Sequence, residues 1–526
     1  MTRLLRESVS TTGTCQRVGS RDGKSFSDQL KAILRQESAS RPSSQPLLAA
    51  TIFMLRHWAA HYVVILLPLL ACYCTLTASE KFGAILLWLA ALAHGVFFDW
   101  ALRRSLWDAG AVRPGVYSPT GEQASFIGDQ LRTLHASLKP TRWAWNGDML
   151  TLVPYILYGA PRVRFTRLFF TAPAVGDRGS GEDGKKAPSD AREVLAHDWA
   201  FPEGGHCPST PLAIVLHGLN GGSNEPLVQD FVKAATARRW TCVVLNARGL
   251  GGTQLTSGQP FHGARTSDLE ALVKLVAKVA PHTPLVGVGF SMGAIVLANY
   301  LGVAGSRCPL VAAIAVSGCM DAEANKGGYS SKSLEPFLTY ELKQNFCTGA
   351  LAARLANGGA RTVDLAAALG PRVGCIMEFD ACTVVPFYGF EDVDDYYRHM
   401  SLGRLGKQHR VAVPLLHLHA CDDPIIDCDT FAPYLSAGRP PPANMHFLIT
   451  RRGGHVGWCE GWAPWTTRWG FQSRAVFVFT DAVRSAPAPS PTSRPTTTQL
   501  RSQSKSKPRR EERSPSRSAA RRHTAR

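Results

Sequence analysis

The stretch from residue 284 to residue 302, PLVGVGFSMGAIVLANYLG, leaves few folds open to the chain. A β-branched apolar run over 285–290 meets a serine, and a small-residue helical pattern begins at the next position. Gly289-Phe290-Ser291-Met292-Gly293 has the form of a G-x-S-x-G nucleophile elbow. In such an elbow the serine sits on a sharp strand-to-helix turn, and glycines on either side let the backbones approach closely. The five-residue pattern alone is cheap, since chance supplies it in about one chain in five of this length. Its meaning depends on what surrounds it.

Short apolar strands and helical periods alternate around the elbow. Residues 212–216, 242–246, 285–290 and 312–317 read as strands, and 225–238, 267–279 and 292–300 as helices. The strand pattern resumes at 411–419 and 445–449, and 475–483 is the last helix. This alternation predicts an α/β chain with a doubly wound, mainly parallel sheet. Residues 319–408 break it with a mostly helical pattern, the mark of a cap inserted over the sheet's C-terminal edge. Upstream, 168–171 reads as a strand, 151–157 as an ordered lead-in to the first strands, and 177–190 as a polar Gly-rich loop.

The flanks differ from this core. Residues 1–50 form a basic arm rich in Ser, Arg and Gln, expected to be mobile. Within 51–104, the stretches 58–76 (WAAHYVVILLPLLACYCTL) and 82–98 (FGAILLWLAALAHGVFF) contain no Asp, Glu, Lys or Arg. Each is close to the length that spans a bilayer as a helix, so a transmembrane helical hairpin is expected. Arg56 before it and Arg103-Arg104 after it put both ends in the cytosol, with the catalytic domain over 110–484 facing the cytosol at a membrane such as the endoplasmic reticulum. A single anchor with the second stretch packed on the catalytic domain is the alternative, followed by a fully soluble chain.

Net charge is +18, and residues 485–526 carry eleven Lys/Arg against Glu511 and Glu512, so half of the excess sits in that Ser/Pro/Arg-rich tail. A disordered, solvated tail or one attracted to anionic lipid fits this composition. No folded module points to nucleic acid. The thirteen cysteines contain no C-x-x-C and no zinc spacing, so no metal is implied, and the absence of G-K-[ST] or a helix-opening G-x-G-x-x-G implies no nucleotide or other cofactor. The Gly-rich loop after Asn246 is expected to shape the rim of the site.

A serine nucleophile needs a base, and the base an orienting acid, in the chain order Ser, Asp/Glu, His for this arrangement. The acid candidates are Asp422 and Asp423, where the late strand ends; Asp423, just before Pro424-Ile425-Ile426, is favoured, with Asp422 expected to hold the loop. The base candidate is His455, in the Gly-rich loop after the last strand. His417, His419 and His446 read as core or face residues. His417 to Asp422 spells H-x4-D, an acyltransferase-like pattern, but it spans a strand and its loop. The oxyanion hole needs two backbone N–H groups, one from Met292 and one from the loop 217–223, where Leu219 is the expected donor.

Six blocks together resemble the α/β-hydrolase superfamily, and within it the YheT-like branch with the membrane-anchored ABHD lipases and the medium-chain ethyl ester synthase/esterases. They are HGLNGGSNE from His217, NARGLGGTQL from Asn246, GFSMGAIVLANYLG from Gly289, EFDACTVVPFYGFEDVDDYY from Glu378, PLLHLHACDDP from Pro414 and GGHVGWCEG from Gly453. The likeness spans 141–462, and the fourth and sixth blocks are the branch-specific ones. It implies an α/β-hydrolase fold with Ser291 as nucleophile, Asp423 as acid and His455 as base, in a membrane-anchored serine hydrolase of lipid acyl esters. Monoacylglycerols, phospholipids and short or medium-chain acyl esters are the implied substrates. Acyl transfer to an alcohol on the same triad is the alternative chemistry, and a catalytically silent membrane scaffold the alternative of another class. Two departures stand out: the double apolar stretch with the long basic tail, and Ala294 where a further glycine often follows the elbow.

Overall fold

The computed structural model describes residues 111–487 except 145, 174–191, 256–258, 327–333, 347–360, 371 and 436–439. The basic arm, the paired apolar stretches, the polar loop 177–190 and the tail from 488 onward lie outside the described residues. Among the described residues no helix is long and apolar enough to cross a membrane.

The chain starts with β1 (Gly115–Tyr117), α1 (Glu122–Ser137), α2 (Gly147–Leu157), β2 (Thr166–Pro173) and β3 (Arg192–Ala200). The alternating centre follows as β4 (Leu212–Leu216), α3 (Pro226–Ala237), β5 (Thr241–Leu245), α4 (Ser267–Val279), β6 (Leu285–Phe290), α5 (Met292–Ala304) and β7 (Ala312–Val316). Three helices of the cap are α6 (Glu335–Phe346), α7 (Ile376–Cys382) and α8 (Val393–Met400). The domain closes with β8 (Leu415–Ala420), β9 (Met445–Thr450) and α9 (Gly470–Ser485).

Strands β4 to β9 carry no Asp, Glu, Lys or Arg and are buried along their whole length. Strands apolar on both faces belong inside a parallel sheet covered by helices on each side. They pair in parallel in the order β5-β4-β6-β7-β8-β9. The antiparallel β3-β2 hairpin extends one edge, and β1 pairs antiparallel with β9 at the other. The result is the mostly parallel sheet that the alternation predicts.

Alternate residues of each strand feed two cores. Val215, Val244, Val286 and Leu418 pack with α3 and α9 through Phe231, Val232, Phe471 and Phe479. Ile214, Val243, Leu285 and Phe447 pack on the other face with Leu272, Val276, Val296 and Leu297 of α4 and α5. Each buried Leu, Val or Phe contributes roughly 1.5–3 kcal/mol, so the sheet is a rigid base for loops at its C-terminal edge.

The ordered lead-in over 151–157 is helix α2, which precedes β2. Asn146 caps that helix by accepting the Met149 N–H at 2.9 Å. Strand β3, absent from the sequence reading, carries Glu193, His197 and Asp198, which interrupt its apolar pattern. Asp198 is buried among donors: Arg167 Nε and Nη2 at 2.7 Å each, Asn246 Nδ2 at 2.8 Å, and the Ser223 hydroxyl. Between 319 and 408 the described residues contain helices and no strand.

Candidate active site

Ser291 stands between β6 and α5 with φ 53° and ψ −119°. A non-glycine residue there costs of order 1–3 kcal/mol and persists only where its surroundings hold it. The Ser291 N–H donates to the Val316 carbonyl of β7 at 2.8 Å, which fixes the turn to the neighbouring strand. Gly293 is required: a Cβ there would lie 2.5 Å from the His217 carbonyl and 2.6 Å from that of Leu216. A Cβ at Gly289 would overlap the Gly293 carbonyl oxygen. Ala294 is fully buried in the α5 core, so a methyl is accommodated one residue further on.

The structure brings Ser291, His455 and Asp423 together. Ser291 Oγ lies 2.8 Å from His455 Nε2, and His455 Nδ1 lies 2.8 Å from Asp423 Oδ2 and 3.1 Å from Oδ1. With Nδ1–H donating to the carboxylate, Nε2 is left to accept the serine proton. Asp423 Oδ1 also accepts the Ile425 and Ile426 N–H groups, both at 2.9 Å. Burial pushes the Asp423 carboxyl up, but His455 by charge and hydrogen bond, His419 and the Ile426 N–H together outweigh it and hold the carboxyl below its ordinary value.

Asp422 has a different task. Its Oδ1 accepts the N–H groups of Gly453 at 2.7 Å and Gly454 at 2.8 Å, so it ties down the loop that carries His455. Burial raises its carboxyl to about 6. Two adjacent carboxyls on one turn thus face opposite partners, one the imidazole and the other the backbone behind it.

Further residues hold the backbone around His455, and the sequence alone does not single them out. Thr151 Oγ1 on α2 accepts the His455 N–H at 2.8 Å, and Ser317 Oγ accepts the Val456 N–H at 3.0 Å. His419 Nε2 lies 3.1 Å from the Ile426 carbonyl, and its Nδ1 is 4.0 Å from Asp423, so it lies under the acid loop. His417 stacks on Phe447, and His446 sits 3.1 Å from Ser118 Oγ. All three histidines are buried, and burial lowers each below the ordinary imidazole value.

Leu219 and Met292 both face the cavity beside Ser291, and neither backbone N–H donates to an acceptor among the described residues. The loop before Leu219 is set by His217. Its Nδ1 bonds the Gly218 carbonyl at 2.7 Å and its Nε2 accepts the Ala247 N–H at 3.1 Å. Burial holds that imidazole neutral, at about 4.

A cavity of about 590 Å³ opens from Ser291 and His455, within the size range of small-molecule sites. Leu338, Ile376, Met377 and Met400 of the cap and Leu152 and Tyr155 of α2 supply much of its apolar wall. Its carboxyls are less charged than the sequence suggests. Burial raises Glu225 to about 7 and Asp380 to about 7, and it raises Glu341 as well. Tyr397 donates its hydroxyl to Asp380 at 3.1 Å. Near neutral pH Glu225 and Asp380 are part-protonated, which suits an apolar occupant.

A family model described as alpha/beta hydrolase fold matches residues 211–333. The chain is 29% identical over 353 residues to phospholipase ABHD3 of Homo sapiens, covering 65% of this chain and 79% of that protein. It is 32% identical over 256 residues to the putative esterase YheT of Escherichia coli, covering 48% of this chain and 71% of that one. With the monoacylglycerol lipase of Saccharomyces cerevisiae it shares 29% identity over 254 residues, covering 47% of this chain and 55% of that enzyme.

Proposed function

The chain belongs to the YheT-like branch of the α/β-hydrolase family and is a carboxylic-ester hydrolase; from that premise we propose that it cleaves lipid acyl esters through an acyl-serine formed on Ser291. The observation that carries the reading is the single imidazole of His455 standing 2.8 Å from both Ser291 Oγ and Asp423 Oδ2.

In the first half-reaction His455 Nε2 takes the hydroxyl proton as Ser291 Oγ attacks the ester carbonyl. Asp423 keeps the imidazole in the required tautomer and stabilises its positive charge. The amides of Leu219 and Met292 hold the oxyanion of the tetrahedral intermediate, and one such donor is typically worth 10²–10³ in rate. His455 then protonates the departing alcohol, leaving the acyl group on Ser291. In the second half-reaction water gives its proton to His455 and attacks the acyl carbon. The carboxylic acid leaves, and the serine regains its proton.

The apolar cavity favours an acyl chain over a polar acyl donor. A hairpin over residues 51–104 would tether this domain to a membrane and keep the cavity near lipid, with the arm before it and the basic tail after the domain reaching into the cytosol.

Fluorophosphonate labelling of the purified protein tests the nucleophile. Wild type is expected to label and Ser291→Ala to remain unlabelled. An unlabelled wild type, or equal labelling of both, would remove the acyl-serine mechanism.

A further inference from the structure

Ten large apolar side chains are strongly exposed among the described residues, and five of them fall in two short segments, 155–157 and 462–465. They are Tyr155 (46% exposed), Ile156 (53%) and Leu157 (50%) at the end of α2, with Trp462 (77%) and Trp465 (48%) in the segment before α9. Apolar side chains scattered singly over a surface need no explanation, but a concentration of them marks a contact surface.

The stretches of chain that flank the two segments are bonded to each other. Trp143, shortly before α2, donates its indole N–H to the Trp462 carbonyl at 2.7 Å, and Gly461 N–H donates to the Lys139 carbonyl at 3.0 Å. Tyr158, next after α2, meets Trp469 edge to face at 4.9 Å. The Arg468 guanidinium lies over both rings and also donates to the Gly159 carbonyl.

This face adjoins the cavity. Pro154, Tyr155 and Trp469 belong to the wall of the space that reaches Ser291, and Tyr155 is at the same time half-exposed. Four cations lie near it in the chain, while the acids beside it are Asp230, paired with Arg468, and Glu225 and Glu341 in the cavity wall with Tyr155. Lys139, Arg142, Arg162 and Arg164 are exposed and form no ion pair among the described residues. The two carboxylates of these segments, Asp148 and Glu460, are buried, and Glu460 is paired with Arg474 at 2.8 Å.

We propose that this face, Ile156 and Leu157 with Trp462 and Trp465 inside a rim of unpaired Lys and Arg, docks on an anionic lipid surface and turns the cavity mouth toward it. The proposal rests on the lipid-ester reading above. Tryptophans settle at the headgroup level of a bilayer, where an apolar body and a polar N–H are both satisfied. Basic groups close to an anionic leaflet are drawn to it. An exposed apolar end of a helix flanked by cations therefore suits the boundary between acyl chains and headgroups. A protein partner selected by the same chemistry would need an acidic rim around an apolar centre, whereas the cavity beside this face already calls for acyl chains.

The test compares one substrate in two settings, using the full chain. A fluorogenic medium-chain ester is offered either dissolved in buffer or embedded in vesicles of diether phosphatidylcholine, with and without diether phosphatidylglycerol. Two variants are compared with wild type: Ile156→Ser/Leu157→Ser/Trp462→Ser/Trp465→Ser, and Arg142→Glu/Arg162→Glu/Arg164→Glu. Expected is a fall of about tenfold or more in hydrolysis of the embedded ester for the first variant, while the dissolved ester is turned over as by wild type. The second variant is expected to lose the advantage that phosphatidylglycerol confers. Equal rates on the embedded ester for wild type and both variants would overturn the proposal, as would an equal loss on both forms of the ester. So would a serine variant that changes the oligomeric state in light scattering while hydrolysis of the embedded ester stays unchanged, because the face would then join copies of the chain. Failure of wild type on the dissolved ester would instead count against the esterase mechanism itself.

Discussion

The sheet edge that carries Ser291, Asp423 and His455 and the cap that faces it build one cavity by different means. At the sheet edge each residue is fixed by hydrogen bonds close to a strand end: Ser291 through Val316, Asp423 through Ile425 and Ile426, and His455 through Thr151. On the cap side much of the wall is Leu338, Met377 and Met400, long side chains that fill space by packing, beside the hydrogen-bonded pair Tyr397 and Asp380. Hydrogen-bonded turns hold reacting atoms to a few tenths of an ångström, whereas unbranched methionines adapt to what they touch. Change in the cap can therefore retune which acyl chain fits without moving the atoms that react.

The sharpest way to break this contrast is at the two adjacent carboxyls. Asp423→Asn is expected to lower kcat by about 10⁴ on a dissolved ester, because the amide favours the wrong imidazole tautomer. Asp422→Asn keeps an oxygen for the Gly453 and Gly454 amides and is expected to cost about tenfold or less. Reversal of that order would reassign the acid. Next is the elbow. Gly293→Ala drives a methyl against two backbone carbonyls that cannot yield, so urea unfolding should show a loss of about 1–3 kcal/mol. A variant as stable as wild type would mean the turn is softer than its geometry implies. A cap change should act on selectivity instead: Met377→Ala is expected to shift the ratio of kcat/KM between long and short acyl esters by about tenfold toward the longer. An unchanged ratio would place the acyl chain elsewhere.

Stability against pH is the remaining contrast. Glu225 has an ordinary value of 4.5 and stands at about 7 in the folded chain, and Asp380 goes from 3.8 to about 7. Between those values the folded state holds protons that the unfolded chain has released, so stability falls as pH rises through that window. Glu225→Gln and Asp380→Asn cannot ionise and should flatten the fall. Chemical denaturation at pH 4 and pH 8 reads this directly, and equal slopes for wild type and variants would contradict it.

The chemistry was more legible in the sequence than its container. The α/β alternation showed because β4 to β9 are short uncharged runs, and the elbow showed because a positive φ and two close backbone approaches leave their marks as Ser291, Gly289 and Gly293. Asp423 could be preferred to Asp422 from the apolar turn after it, but the separate task of Asp422 depends on Gly453 and Gly454, some thirty residues away. Strand β3 was hidden because Asp198 is made tolerable by Arg167, Ser223 and Asn246, none of them local to it. Glu225 stands in the HGLNGGSNE block, yet nothing in that string says that its carboxyl is buried. The cap reads as helical, but which of its side chains meet Ser291 is settled only when distant helices pack.

Helix α2 joins two places that chemistry and surface would otherwise keep apart. Its first residue, Gly147, has no room for a side chain because the Asp422 carbonyl presses on it, and one turn later Thr151 holds the backbone of His455. Its last turn carries Ile156 and Leu157 into solvent. From Thr151 to Ile156 is about 7.5 Å along the axis at the usual rise per residue. Pro154 stands between them and removes one N–H from the helix ladder, so the outer turn can shift while Thr151 keeps its hold on His455. One short helix thus serves the surface and the reacting imidazole without either having to disturb the other.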